Sequence, residues 1–325
     1  MSGETSTEDT YIQKFGFRRF TGVRQNRLYR IISVAWFNLI EAIRRSGFTK
    51  MLLVFMFFSI LIQDVLIIVI SWFLPFIGDP MTINDLFRDA YADSVLGMVS
   101  LVNRITVLDF GFMPFNISSV GISFIWLLLM AIVGGGLIAD DRLHQTTEVY
   151  FSRISRLEYV IGKLMSLILF STIVVVLPSI IQYFLLSYGL ETDLLVNIDL
   201  MFWGIGFTLL AAFLLSLIIL AMSSFTKRRA VATLTFFIAA IVMSSFYSAI
   251  GFGQSESMIL LLDFVGAIAL LGAMALGYDS LDINGRDIFF SNGIGIEGPM
   301  VLAVVLLVLV LGIISLMLTL FRRDS

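Results

Sequence analysis

The chain contains no cysteine and only one histidine among its 325 residues. Without cysteine it can form neither disulfides nor thiolate metal sites. A metal site would have to rely almost wholly on carboxylates, so we expect no metal and no other cofactor bound by this chain. Charged residues make up only 14% of the sequence and the net charge is −3. The basic surface typical of nucleic-acid-binding proteins is therefore missing, and we expect no nucleic-acid partner.

Apolar residues, in contrast, account for 58% of the chain and form several long runs. About 20 apolar residues in a helix cross the roughly 30 Å of hydrocarbon in a bilayer. Lipid offers no hydrogen-bonding partner to the backbone, so such runs must be helices. The composition predicts an all-α polytopic membrane protein.

The distribution of Lys and Arg predicts the orientation, because short cytoplasmic loops are rich in these residues. Residues 1–50 contain nine Lys/Arg against four acids, whereas residues 75–119 contain two bases and five acids. Residues 140–163 carry four bases, and residues 227–229 carry three more. Residues 189–200 hold three acids and no base. The N-terminus is therefore predicted to be cytoplasmic and residues 75–119 external.

The apolar segment 258–277 decides the number of spans. If it crossed the membrane, Arg322 and Arg323 would lie outside. It also carries Asp263, and a carboxylate in the centre of a span costs about 2.5–3.5 kcal/mol on insertion scales. We therefore predict six transmembrane helices with both termini cytoplasmic, and a short re-entrant or interfacial helical element within an external region, 251–298. The predicted single transmembrane domain, 50–325, has spans at 50–74, 120–139, 161–188, 201–223, 230–250 and 299–321, an external loop at 75–119 and a cytoplasmic loop at 140–160.

Before the first span, residues 1–27 form a predicted cytoplasmic tail and residues 28–49 an N-terminal interfacial amphipathic helix. The apolar positions of this helix recur at helical spacing and should contact membrane lipids, with the basic side chains facing lipid phosphates. The apolar face comprises Leu28, Ile31, Ile32, Ala35, Trp36, Leu39, Ile40 and Ile43, and the polar face Arg30, Asn38, Glu41, Arg44 and Arg45. The alternative, a helix packed in a soluble domain, lacks such a domain to pack against.

Two nucleotide-binding patterns can be rejected. Gly293-Ile-Gly295-Ile-Glu-Gly298 has G-x-G-x-x-G spacing, but it precedes Pro299 and an apolar span instead of opening a helix in a βαβ unit. It is better explained as a turn before the last span. A G-x-x-x-x-G-K-[ST] motif is absent from the sequence. We therefore expect no ATP hydrolysis, and no other enzymatic activity, from this chain.

The pair Gln63-Asp64 lies near the middle of the first span. An intramembrane carboxylate is expensive and is a functional candidate by default. It could belong to a proton relay or a translocation pathway. The other interpretation, which we favour, is a protonated or hydrogen-bonded Asp at a helix interface with Gln63 assisting.

Two features predict how helices pack. Gly134-Gly135-Gly136 removes side chains near the inner end of the second span, which favours close helix approach. Pro178 predicts a kink in the third span.

The connection between the second and third spans is longer than a simple turn requires. Residues 134–163 read GGGLIADDRLHQTTEVYFSRISRLEYVIGK, with four acids, four bases and the single histidine. Its helical character and the aromatics Tyr150 and Phe151, interpreted as exposed anchors, predict a surface element that docks on another protein. The alternative is a solvated charged turn.

This connection resembles the signature of type-2 ATP-binding-cassette (ABC) transporter permeases. The similar segments are Gly136-Leu-Ile-Ala-Asp140-Asp141-Arg142, Gln145-Thr146-Thr147-Glu148-Val149, Ile154-Ser155-Arg156-Leu157-Glu158-Tyr159 and Gly162-Lys163. The chain departs from the pattern at Gln145, where many members carry Ser-Gly before the Thr, and at Arg153-Ile154, where a Pro is frequent. The resemblance extends to the whole layout of spans.

The resemblance implies a plasma-membrane permease subunit, with export the expected direction. It would pair with a second permease copy, and separate cytosolic ATPase subunits, which bind ATP and magnesium, would dock on the loop between spans two and three. By position, the contact residues are His144, Gln145, Thr146, Thr147, Glu148, Tyr150, Arg153 and Arg156, with Glu41, Arg44 and Arg45 from the interfacial helix. Two alternatives stay open: a proton-coupled secondary transporter that uses Asp64, and a membrane anchor or sensor subunit without transport.

Overall fold

The computed structural model describes residues 26–72, 82–99, 120–151, 154–251, 264–276, 282–283, 286–287 and 298–321. The helices are α1 (Arg27–Arg45), α2 (Gly47–Ser71), α3 (Ile83–Val99), α4 (Val120–Leu143), α5 (Thr146–Phe151), α6 (Arg156–Ser171), α7 (Leu177–Gly189), α8 (Ile198–Phe225), α9 (Arg229–Gly251), α10 (Phe264–Ala275) and α11 (Gly298–Phe321). A π-helical turn, Thr172–Val176, joins α6 to α7. Strands β1 (Asp282–Ile283) and β2 (Arg286–Asp287) form one short antiparallel pair, with Ile283 opposite Arg286. The predicted helical class is confirmed.

Five of the described helices are long and apolar enough to cross a membrane. They are Gly47–Ser71, Ile122–Leu143, Arg156–Gly189, Ile198–Phe225 and Val301–Leu318, and each coincides with a predicted span. The remaining predicted span, 230–250, falls on α9, of which the stretch Arg229–Met243 is a shorter apolar helix. The chain is a helical multi-pass membrane protein, while the count of six spans stays a prediction.

Helix α4 lies at the centre of the bundle. Of its apolar window 83% is buried, against 28% for α2 and 22% for Val301–Leu318 of α11. It packs against α2, α3, α6, α8 and α9. The peripheral helices instead expose apolar side chains, which is the surface that a bilayer would cover.

The prediction of a plain loop at 75–119 missed α3. Thr82 and Asp85 begin this helix with reciprocal bonds: the Asp85 amide donates to the Thr82 hydroxyl at 3.1 Å, and the Thr82 amide donates to the Asp85 carboxylate at 3.3 Å. Each bond satisfies a backbone donor that the first helical turn leaves free. Most of α3 is buried, Phe87 and Tyr91 completely. Its acids lower the hydropathy and so conceal an element that packs inside the bundle.

The outer surface of α3 is tied to the beginning of α8. Arg88 donates to the Asn197 side-chain oxygen at 3.1 Å and forms an ion pair with Asp199 at 3.3 Å. The Asn197 amide in turn donates to Asn84 at 2.7 Å. Residues that the sequence analysis treated as two separate loops are therefore joined at one end of the bundle.

Helix α10 is the described part of the element predicted at 258–277. Its 12 residues span about 18 Å at 1.5 Å per residue, less than the roughly 30 Å of hydrocarbon. Val265, Ile268 and Ala273 are buried where α10 packs against α3 and α11. Asp263 lies outside the described residues.

The sequence predicts that the polar face of α1 contacts lipid phosphates. In the structure, part of that face is turned toward the protein instead. Asn38 is 7% exposed and Arg30 is partly buried, because both contact α6. The apolar face is divided: Ala35 and Leu39 are buried, whereas Ile32 and Trp36 are each 58% exposed. Docking on α6 therefore uses the flank where the two faces meet, and the remaining apolar face is available to lipid.

The third predicted span is interrupted by its π-helical turn immediately before Pro178. Proline has no amide hydrogen, so the ordinary hydrogen bond from residue i to the carbonyl of residue i−4 is missing at that position. The backbone there adopts the wider π-helical pattern, with bonds from residue i to residue i−5. The Thr172 hydroxyl donates to the carbonyl of Ile168 at 2.8 Å in the preceding turn. The π-helical turn lies where the sequence predicts a kink at Pro178, while the bend of the helix axis stays a prediction.

Candidate functional site

The connector, residues 140–160, links α4 to α6, and the structure describes residues 140–151 and 154–160 of it. Helix α4 continues to Leu143, and His144 and Gln145 make a turn before α5. Gln145 has a φ of 56°, in the left-handed region that favours glycine. At this position, many members of the family that the connector resembles carry the glycine of a Ser-Gly pair.

Asp141 is the centre of the connector's polar contacts. Its Oδ2 accepts a hydrogen bond from the Tyr159 hydroxyl at 2.7 Å and forms an ion pair with Lys163 Nζ, also at 2.7 Å. The Thr146 hydroxyl donates to Asp141 Oδ1 at 3.1 Å. One carboxylate therefore joins the end of α4, the beginning of α5 and the first turns of α6.

Lys163 extends this network to α1. Its side chain is 2% exposed, and Nζ donates to Asn38 Oδ1 at 2.9 Å. Nζ also lies 5.4 Å from the ring centroid of Tyr159 and 5.7 Å from that of Tyr150. A buried ammonium is tolerated only when it is paired and hydrogen-bonded, which Asp141, Asn38 and the two rings achieve together.

The aromatic residues of α5 face the bundle. Tyr150 and Phe151 lie 5.4 and 5.5 Å from the Tyr159 ring, centroid to centroid. Both are half-buried against the core, so the expectation of exposed aromatic anchors is wrong. The pKa of the Tyr150 phenol is raised, mainly by burial and further by Asp141 and Glu41. The rings of Tyr150 and Phe151 hold α5 on α6.

Glu158 connects the start of α6 to α1. Its backbone amide donates to the Ser155 hydroxyl oxygen at 3.2 Å, and its carboxylate accepts a hydrogen bond from the Ser155 amide at 3.0 Å. Together the two bonds form a complete capping box. The same carboxylate pairs with Arg30 at 3.0 Å and lies 3.8 Å from Arg27. The end of the connector and the amphipathic helix are therefore held by one side chain.

Glycines bring the surrounding helices into close contact. A Cβ on Gly162 would lie 2.8 Å from a methyl of Val34 on α1, and a Cβ on Gly134 would lie 2.8 Å from Ile219 on α8. The Ser223 hydroxyl of α8 donates to the carbonyl of Gly135 at 2.8 Å. The packing role predicted for the glycine triplet is consistent with these contacts.

A small cavity of about 80 Å³ lies beside the network. Its charged lining residues are Glu41, Asp140, Asp141, Lys163 and Arg229. Arg229 donates to the Ile132 carbonyl at 2.8 Å. Within the residues that the structure describes, no group of three or more His, Asp or Glu side chains could hold a metal.

The predicted contact residues occupy different environments. His144 and Gln145 are exposed, Thr146, Thr147, Tyr150 and Arg156 are half-buried, and Glu41 and Arg44 are exposed. Arg156 lies 5.4 Å from the Phe151 ring centroid. Arg153 lies outside the described residues, as do the side chains of Glu148 and Arg45. The sequence placed Asn38 on the polar face of the amphipathic helix and Asp141, Tyr159 and Lys163 in the segments that carry the resemblance, but it did not predict their mutual contacts. A lysine at the start of an apolar span was a usable signal.

Gln63 and Asp64 belong to a second polar cluster, deeper in the bundle. The Gln182 side-chain amide lies 2.6 Å from Asp64 Oδ1 and 2.5 Å from Ser94 Oγ. Gln63 does not assist Asp64 directly; its Nε2 donates to Ser94 Oγ at 3.3 Å. The cluster joins α2, α3 and α7, as the helix-interface interpretation requires.

Comparison of the chain with family models, with curated proteins and with solved structures found no match.

Replacing Lys163 by Met should lower the free energy of unfolding by about 3 kcal/mol, because it leaves Asp141 without its buried partner. The same change at exposed Lys227 should have little effect. The measurement is thermal unfolding of the purified protein in detergent. Asp141→Asn combined with Lys163→Met should cost less than the two single changes added. Strict additivity would contradict a direct interaction.

Replacing Gly162 by Ala should destabilise the protein by about 1–3 kcal/mol, because the new methyl overlaps Val34 in a packed interface. Val34→Ala in the same chain should restore part of the loss. Gly206→Ala is the matched control, since nothing lies within 4 Å of a Cβ there. Equal unfolding temperatures for the two glycine variants would show that α1 is not held tightly against α6.

Proposed function

We propose that the chain is the permease subunit of an ABC transporter, driven by separate cytosolic ATPase subunits that dock on the connector. The observation that carries the proposal is the attachment of the connector through the ion pair of Asp141 with the buried Lys163. A solvated turn needs no such anchor. The resemblance of residues 136–163 to type-2 permeases supports the same assignment from the sequence.

The contacts explain how movement of the connector would reach the membrane helices. Helix α5 is held to α4 by the Thr146–Asp141 hydrogen bond and to α6 by the rings of Tyr150 and Phe151. A displacement of α5 therefore moves the ends of both helices together. Because Glu158 and Gly162 hold α1 on α6, the amphipathic helix would follow that movement.

A surface for the ATPase remains beside these internal contacts. His144 and Gln145 at the turn are exposed. Glu41 and Arg44 of the amphipathic helix α1 are exposed as well. ATP and magnesium would bind to the ATPase, since this sequence has no ATP-binding motif. The role of this chain would be mechanical: it would convert closure of the ATPase pair into a shift of α4 and α6.

The proposal includes a second permease copy and export across the plasma membrane. The direction of transport and the plasma membrane are what the family resemblance implies. The second copy is supported by the bundle itself, in which α4 is central and α2 and α11 are mostly exposed. In a six-span unit without internal repeat, a translocation path would lie between two such units. Both termini and the connector would be cytoplasmic.

Two other functions compete with this proposal. A proton-coupled secondary transporter would use Asp64, which is buried, but its one hydrogen-bonding partner in the described part of the chain is Gln182, and a relay needs a further titratable group. An anchor or sensor subunit without transport would need no movement of the connector.

Glu148→Arg should abolish stimulation of the ATPase that copurifies with the tagged chain. Reversing a charge at an interface weakens binding, and each 1.4 kcal/mol of binding free energy lost raises the dissociation constant about tenfold. The same change at exposed Glu191 is the control. The measurement is the ATP hydrolysis rate of the reconstituted complex. Failure of any ATPase to copurify, or unchanged stimulation in Glu148→Arg, would count against the proposal.

The absence of native cysteine makes the predicted orientation easy to test. An impermeant maleimide added to intact cells should label Ile83→Cys, which is exposed on α3, but not His144→Cys. Opened membranes should show labelling at both positions. Leu86→Cys, at a fully buried position, is the control and should stay unlabelled until denaturation. Labelling of His144→Cys in intact cells would place the connector away from ATP.

A further inference from the structure

The cluster of Gln63, Asp64, Ser94 and Gln182 contains a carboxyl group in the apolar interior. Asp64 is 1% exposed, and Ser94 and Gln182 are completely buried. The four side chains come from three helices, α2, α3 and α7. They bring one acid, two amides and one hydroxyl together, and none of them carries a positive charge.

No described cation balances Asp64. Lys50, on the same helix, lies about 21 Å away along the axis at 1.5 Å per residue. The helices packed against α2 are α1, α3, α4 and α7. Among their described side chains, the charged and titratable groups are Arg27, Tyr29, Arg30, Glu41, Arg44, Asp85, Arg88, Asp89, Tyr91, Asp93, Asp140, Asp141, Arg142, Tyr183 and Tyr188. None of these groups forms a hydrogen bond or ion pair with Asp64.

The second oxygen of the carboxyl group, Oδ2, is also without a hydrogen-bond partner in the described part of the chain. An ionised carboxylate would therefore be buried with one hydrogen bond and no counter-charge. Such an arrangement is strongly unfavourable in an apolar medium, whereas a neutral carboxylic acid needs far less compensation. The site therefore favours a bound cation, and the smallest is a proton.

The distances at Gln182 indicate where that proton lies. The amide atom facing the cluster is 2.6 Å from Asp64 Oδ1 and 2.5 Å from Ser94 Oγ. These lengths are short for N–H···O bonds, which are about 2.7–3.2 Å, and typical of O–H···O bonds, which are about 2.5–3.0 Å. The oxygen and nitrogen of an amide are assigned from their partners. In the structure the facing atom is Nε2, and Oε1 has no hydrogen-bond partner among the described residues. Exchanging the two atoms places Oε1 opposite two hydroxyl donors, which the lengths fit, and moves the nitrogen to the position without a partner.

This orientation also satisfies Ser94. With the nitrogen of Gln182 facing it, the Ser94 oxygen would accept from both glutamines and its own proton would find no acceptor. With Oε1 facing it, Ser94 donates to Gln182 and accepts from Gln63 Nε2 at 3.3 Å. The same turn of the amide requires Asp64 to be the donor toward Gln182, and only the protonated acid can donate.

We propose that Asp64 is a proton-binding site, in which the carboxyl proton is donated to Gln182 Oε1 and the resulting bond holds the buried helix α3, through Ser94, between α2 and α7. The proton stays bound to Asp64 and is not transferred onward. Its effect is to hold α3 in its packed position between α2 and α7. The proposal is independent of ABC transport and holds for any function of the chain.

Infrared spectroscopy of the full chain in lipid nanodiscs at neutral pH tests this site. The wild-type spectrum should contain the C=O stretching band of a protonated carboxylic acid that is missing from Asp64→Asn. The matched control is Asp199→Asn, which removes a carboxylate ion-paired with Arg88 and should leave the band intact. In Gln182→Leu, a second variant that retains Asp64, the band should persist and move to higher wavenumber because its hydrogen bond is lost.

Three results would overturn the proposal. The first is a wild-type spectrum that differs from Asp64→Asn only in the bands of an ionised carboxylate. The second is a protonated band that appears only when N-methylglucamine replaces sodium, which would identify a metal cation as the ligand. The third is an unmoved band in Gln182→Leu. Neither ATP nor an ATPase takes part, so these results are separate from the outcome of the transport experiments.

Discussion

The ion pair between half-buried Asp141 and buried Lys163 holds together the part of this protein on which its proposed function depends. Lys163 lies on an apolar helix and is almost completely enclosed, so its charge requires a partner at the same depth. Asp141 supplies it from the end of α4, while Asn38 and the rings of Tyr150 and Tyr159 occupy the remaining sides. Four helices, α1, α4, α5 and α6, consequently meet around one ammonium group.

The same requirement, that polar groups in an apolar medium be satisfied by protein atoms, organises the second cluster. At the Lys163 network, opposite charges satisfy each other. At the cluster around Asp64 the described helices offer only amides and a hydroxyl, and neutralisation by a proton is the corresponding solution. Polar contacts therefore join helices at two separate places in the bundle. They fix the register between neighbouring helices, which apolar side chains alone would not do.

These two solutions suit different tasks. The connector network is partly open to solvent, since Asp141 is half-buried and His144 is exposed, so a partner could reach the surface beside it. The cluster around Asp64 is enclosed between α2, α3 and α7 and is placed to hold helices. The proposed coupling to an ATPase and the proposed seating of α3 would thus use separate parts of one bundle.

Much of the outline could be predicted from the sequence. The apolar runs determined the helical class and the position of most long helices, because a backbone in lipid has no alternative to internal hydrogen bonds. The local pattern Ser155-Arg-Leu-Glu158 encodes the start of α6, and Pro178 encodes the irregular turn that precedes it. These features depend on residues close together in the chain, so they can be read without knowing the fold.

Other features were decided only by tertiary structure. The sequence assigned Tyr150 and Phe151 to an exposed surface, but both rings are half-buried and pack against Tyr159 of α6. It likewise gave no indication that Asn38 would meet Lys163, or that Gln182 would meet Asp64, since each pair is more than a hundred residues apart. Helix α3 was overlooked because its acids suggest exposure when hydropathy alone is considered. Composition determines that this chain forms helices in a membrane, whereas the partners of its few buried polar groups depend on which helices become neighbours.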